Sequence, residues 1–122
     1  MKKGRILVVD DEIELCIILD KLFSKRGYDV RMAHSVTEAI ALMEKEEFDL
    51  VLSDYVMPNG SGYDVAMFLN TLEKRPKIGL ITGWGKLIGD NEKEKMKVSF
   101  VIRKPFDFSE LIKQVNVTLN QN

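Results

Sequence analysis

Five short segments rich in Val, Ile and Leu alternate along the chain with longer segments of helical period, and this alternation limits the possible folds more than any other feature. The segments are Arg5 to Asp10 (RILVVD), Asp29 to Ala33 (DVRMA), Phe48 to Asp54, Lys77 to Thr82 (KIGLIT) and Ser99 to Arg103 (SFVIR). Each is too short for a helix, and branched side chains suit a strand. A strand, a helix and a second strand close as a right-handed crossover, so the alternation predicts a parallel sheet with helices on both faces. Near-continuous apolar strands fit burial from both sides.

Between the strands, Leu15, Ile18, Leu19, Leu22 and Phe23 recur at the spacing of one helix face, and Gly27 follows as a stop. Ser35-Val36-Thr37-Glu38 reads as a capping box, in which Ser and Glu each accept the other's unpaired backbone N–H, ahead of a stripe of Val36, Ala39, Ile40 and Met43. A third helix carries Val65, Phe68, Leu69 and Leu72, and a last one opens at Asp107 and buries Phe108, Leu111, Ile112, Val115 and Leu119. The segment from about Leu87 to Met96 has little apolar surface, which predicts a short or mobile helix with a solvated charged face.

Composition excludes several function classes. A chain of 122 residues with 45% hydrophobic and 30% charged residues has the balance of a soluble single domain. It has no run long enough to span a bilayer, so no membrane insertion is expected. The lysines at the start meet carboxylates too soon for a secretory signal, and the expected location is cytoplasmic. A net charge of −1 with both signs interspersed gives no footprint for direct nucleic-acid binding. The single cysteine, Cys16, is expected as an inert core thiol, and the single histidine, His34, as an exposed loop residue away from the site.

In an open parallel sheet the ligand site lies beyond the carboxyl ends of the strands. The residues that stand there are Asp10 and Asp11, Asp54, Thr82 and Lys104. Carboxylates about 5–6 Å apart repel by roughly 3 kcal/mol per pair at an effective dielectric of about 20, so a cation is expected among them. Hard oxygen donors suit Mg²⁺, while Lys104 and the Thr82 hydroxyl could hold a phosphoryl oxygen. These are the parts of a phosphoryl-transfer site with a carboxylate nucleophile.

Four pieces in order carry a resemblance: VVDDE at Val8 to Glu12, SDYVMPNGSG at Ser53 to Gly62, LITG at Leu80 to Gly83 and KPF at Lys104 to Phe106. With them the chain resembles the response-regulator receiver domains of two-component signalling, nearly from end to end. The resemblance implies a flavodoxin-like doubly wound (βα)5 fold, its five strands in the order 2-1-3-4-5, as one receiver domain over residues 1–122 with no output domain in this chain. It makes Asp54 the phosphoacceptor, charged by a sensor histidine kinase or a histidine phosphotransfer protein. Asp11, Asp54 and the Val56 backbone carbonyl would bind Mg²⁺ directly, and Asp10 through a water ligand. The Met57-Pro58 turn would hold that carbonyl, and Gly62 would serve where the loop turns into the third helix. Lys104 would bind the phosphoryl oxygen, set by a cis bond to Pro105, and Thr82 would be the switch hydroxyl. The output is control of an unidentified downstream protein or of an output domain elsewhere. Chemistry is limited to the domain's own phosphorylation and slow self-dephosphorylation.

One departure bears on the switch. Receivers often carry Tyr or Phe three residues before the strand-end lysine, where this chain has Val101, and Phe100 sits one residue earlier on the opposite face of a regular strand. Either a bulge re-aims Phe100 or the aromatic half of the switch is absent, and absence is the expectation. Val56, with no polar group to position water, and Trp84, a shield or a partner contact, are candidates for tuning the phosphoryl lifetime. Two competing readings are a flavodoxin-like cofactor binder, disfavoured by the acidic DDE where a cofactor phosphate needs donors, and an Asp-nucleophile phosphatase, for whose covering insertion the chain has no room.

Overall fold

A computed structural model describes residues 3–83 and 88–120. Five parallel strands, β1 (Arg5–Val9), β2 (Asp29–Ala33), β3 (Leu50–Asp54), β6 (Lys77–Thr82) and β7 (Phe100–Arg103), form one sheet in the order β2-β1-β3-β6-β7. Counting only these five, the order is the expected 2-1-3-4-5. A two-stranded antiparallel hairpin, β4 (Val56–Met57) and β5 (Gly60–Ser61), stands apart from it and was not foreseen. The helices are α1 (Ile13–Ser24), α2 (Val36–Lys45), α3 (Gly62–Leu69), α4 (Asp90–Met96) and α5 (Phe108–Leu119). Among the described residues no helix is long and apolar enough to cross a membrane.

Strand alternation divides the interior into two cores. Leu7, Val9, Val51, Ile78 and Leu80 face one side and pack with Ala39, Met43, Val65, Leu69 and Met96 of α2, α3 and α4. Ile6, Val8, Leu50, Leu52, Ile81 and Ile102 face the other and pack with Cys16, Leu19, Phe23, Leu111 and Val115 of α1 and α5. Successive strand residues point to opposite faces and both faces are covered, which is why the strands are apolar without alternation.

Helix ends follow local chemistry. Gly27 adopts a left-handed φ of 94°, and the N–H groups of Gly27 and Tyr28 donate to the carbonyls of Ser24 and Phe23, closing α1 with a Schellman motif. At α2 the Ser35 hydroxyl accepts from the Glu38 N–H as expected, but Glu38 reaches back to the N–H of His34 instead of Ser35. The complete capping box is at α3, between Ser61 and Asp64.

Two packing expectations need correction. Ile18 is 46% exposed, because it lies about 100° around the helix from Leu19, and the buried row of α1 is Cys16, Leu19 and Phe23. Phe108 is 39% exposed, set edge-to-face against Phe106 with ring centroids 5.5 Å apart. The fourth helix is short, as expected: it runs from Asp90 to Met96 with Met96 its only buried residue, and Leu87 lies outside the described residues.

β7 pairs with β6 in unbroken register, Gly79 opposite Phe100 and Leu80 opposite Val101, so no bulge re-aims Phe100. The Phe100 ring packs in the α1 and α5 core over Gly79, where a Cβ would lie 2.2 Å from the ring. Val101 faces the other core, on the α4 side.

Candidate functional site

The strand order reverses between β1 and β3, and the carboxyl ends of the strands there bring the acidic residues together. Asp10 follows β1 and Asp54 ends β3, and both are buried, at 1% and 6% exposure. Lys104 follows β7 and reaches across the sheet edge. Its Nζ lies 3.1 Å from Asp10 Oδ2, 2.7 Å from Glu12 Oε1 and 3.4 Å from Asp54 Oδ2. The Lys104 backbone N–H donates to the Thr82 carbonyl at 2.8 Å, and the Lys104–Pro105 bond is cis.

The charges are unbalanced, three carboxylates against one ammonium. Burial pushes the Asp10 carboxyl above its ordinary value, against a hydrogen bond from the Glu12 N–H and the pull of Lys104. Burial and then the charge of Asp10 push Asp54 up as well, against Lys104. For Lys104 burial works against the charge, but Glu12, Asp10 and Asp54 together outweigh it and hold the ammonium more firmly protonated than usual.

The structure places Thr82 at the end of β6, 1% exposed, with its hydroxyl donating to the Gly83 carbonyl at 3.4 Å. Val56 sits in the small hairpin opposite Ser61, so the Pro58-Asn59 turn fixes its backbone, while its side chain is 53% exposed. Gly62 matters through space and not through an unusual φ: a Cβ there would meet the Asp54 carbonyl oxygen at 3.0 Å and Leu80 at 2.9 Å. Trp84 lies outside the described residues.

Carboxylate oxygens of Asp10, Glu12 and Asp54 all lie within 4.8 Å of one another. Asp11 is exposed and stands outside that group, lining a neighbouring cleft of about 80 Å³ with His34, Ser35, Pro58 and Asn59. An all-oxygen donor set at this spacing fits a hard divalent cation, which prefers carboxylates to imidazole or thiolate.

Three residues with local roles escaped the sequence reading. Glu12 joins the cluster through Lys104. Tyr55, next to Asp54, is buried, and its hydroxyl donates to Glu92 Oε2 of α4 at 2.7 Å. That bond first, and burial second, push the phenol up to about 12. His34 is half-buried and close to the site, contrary to expectation: its Nδ1 lies 3.2 Å from the Asp10 carbonyl oxygen. No local pattern in the sequence pointed to such a neighbour, since His34 lies 24 positions from Asp10.

The model of the response regulator receiver domain family matches residues 6–116. Sporulation initiation phosphotransferase F of Bacillus subtilis is 29% identical over 91% of this chain and 90% of its own length. Response regulator protein PilR of Pseudomonas aeruginosa is 30% identical over 98% of this chain, which spans only 27% of PilR. Among solved structures, response regulator protein TrrA of Thermotoga maritima, in complex with Mg²⁺–BeF, superposes with a TM-score of 0.83 at 32% identity, covering 97% of this chain and 99% of that one.

Proposed function

The chain belongs to the response regulator receiver domain family, and from that premise we propose that Asp54 accepts a phosphoryl group from a phosphohistidine on a sensor histidine kinase or phosphotransfer protein. In that step an Asp54 carboxylate oxygen forms an O–P bond as the N–P bond of the donor breaks, and the electron pair leaves with the imidazole nitrogen. The reading takes residues 1–122 as one receiver domain, whose output is a change of surface read by a partner protein or an attached domain.

The convergence of Asp54, Asp10 and Lys104 at the sheet edge carries the proposal. Lys104 neutralises negative charge beside Asp54 and would move onto a phosphoryl oxygen, exchanging one anionic partner for another. The Thr82 hydroxyl, in a long 3.4 Å contact with the Gly83 carbonyl, would turn toward a phosphoryl group on Asp54. Asp10, Asp11, Asp54 and the Val56 carbonyl would hold Mg²⁺, which when bound offsets the charge of the incoming phosphoryl oxygens. Binding of Mg²⁺–BeF by TrrA supports this assignment. Val56 offers no hydrogen bond to an attacking water, so self-dephosphorylation is slow, with Trp84 as a second tuning residue.

The test is intact mass after incubation with Mg²⁺ and acetyl phosphate. Wild type is expected to gain one phosphoryl group, and Asp54→Ala or chelator-treated protein none. A gain that persists in Asp54→Ala would overturn the assignment.

A further inference from the structure

The only histidine and the only cysteine in the chain converge on one oxygen, the backbone carbonyl of Asp10. His34, in the connection between β2 and α2, approaches it with Nδ1 at 3.2 Å, and Cys16, in the first turns of α1, with Sγ at 3.3 Å. A carbonyl can only accept, so Nδ1 carries the proton and donates. The Asp10 N–H in turn donates to the Ala33 carbonyl at 3.0 Å, immediately before His34. Both peptide groups flanking Asp10 are therefore tied to the β2 side, and His34 is itself held by the bond from its backbone N–H to Glu38.

We propose that His34 is a positioning residue that fixes the Asp10–Asp11 peptide and thereby sets the affinity of the acidic pocket for a divalent cation. The inference rests on the Mg²⁺ assignment above and deepens it. Asp10 and Asp11 share the peptide whose carbonyl His34 holds, so rotation of that peptide would swing both carboxylates. Asp11, exposed and outside the close carboxylate group, depends on its backbone for its position. A thiol is a weak donor and cannot replace the imidazole N–H. Outer hydrogen bonds of this kind govern metal affinity without touching the metal.

The experiment is Mg²⁺ binding by calorimetry without any phosphodonor, on wild type, His34→Ala, His34→Asn and His34→Gln. An Asn side chain can place an N–H where Nδ1 stands, whereas Gln reaches toward the Nε2 position. His34→Ala and His34→Gln are expected to weaken Mg²⁺ roughly tenfold and His34→Asn to stay within about twofold of wild type. At saturating Mg²⁺ the phosphorylation rates of all four should converge, separating a binding effect from a catalytic one. Equal affinity of His34→Ala and wild type would overturn the inference. So would equal losses in His34→Asn and His34→Gln, a comparison that stands even if the alanine variant does not fold. A wild type that binds no Mg²⁺ would overturn the metal assignment itself, and this inference with it.

Discussion

Asp54 is less acidic in the fold than in the unfolded chain, because burial and Asp10 disfavour its charge more than Lys104 favours it. An acid raised in this way destabilises the folded protein when ionised, and the penalty grows as pH rises through its folded pKa. Asp54→Asn is therefore expected to stabilise the metal-free protein at neutral pH by about 1 kcal/mol, roughly 4 °C in Tm. The gain should vanish below the ordinary carboxyl value of 3.8, where both states are protonated, and thermal melts across pH check it. At Val56 a polar substitution such as Val56→Asn should shorten the phosphoryl lifetime severalfold, read as decay of the phosphorylated mass. The strand-end residues Asp10, Asp54, Thr82 and Lys104 were legible in the sequence because each strand announces its own end. Glu12, His34 and Tyr55 were not, because their partners lie 92, 24 and 37 residues away, and no local pattern records such pairs.

Element by element, β6 and β7 meet where a glycine makes room for a ring. Gly79→Ala would force its Cβ into Phe100 and is expected to cost about 1–3 kcal/mol, and Phe100→Leu in the same chain should recover most of the loss. Denaturant midpoints of wild type and the two variants measure this. The pairing register also explains why Val101 cannot borrow an aromatic from Phe100, which belongs to the other core. On the α4 side, Tyr55 joins the residue after Asp54 to a helix with one buried side chain. Tyr55→Phe is expected to cost about 1 kcal/mol and to remove the tyrosinate absorbance step near pH 12. A phenol with a raised pKa stabilises the fold below its ordinary value of 10.0, so the deficit of this variant should shrink as pH climbs from there toward 12. Helix existence was legible from spacing, but the exposure of Ile18 and Phe108 was not, since a helix of 12 residues against a sheet buries a narrower row than its apolar content allows.

For the whole molecule, topology performs the work that no segment can. Parallel strands with both faces covered leave only their carboxyl edge open to polar chemistry, and the reversal between β1 and β3 places Asp10 beside Asp54 across 44 positions of sequence. The same sheet sends Lys104 from its far edge to both carboxylates. The fold and the strand order were legible from the alternation and the resemblance together, whereas the small hairpin around Pro58 was not, because two-residue strands leave no periodic signal. The central claim is that this assembly directs a phosphoryl group to one carboxylate. Borohydride reduces an acyl phosphate to the alcohol, so protein incubated with Mg²⁺ and acetyl phosphate, then reduced and digested, can be mapped by peptide mass. The account predicts homoserine at position 54 alone and none without Mg²⁺. Reduction at Asp10 or Asp11, or a phosphorylated protein with Asp54 unchanged, would contradict it.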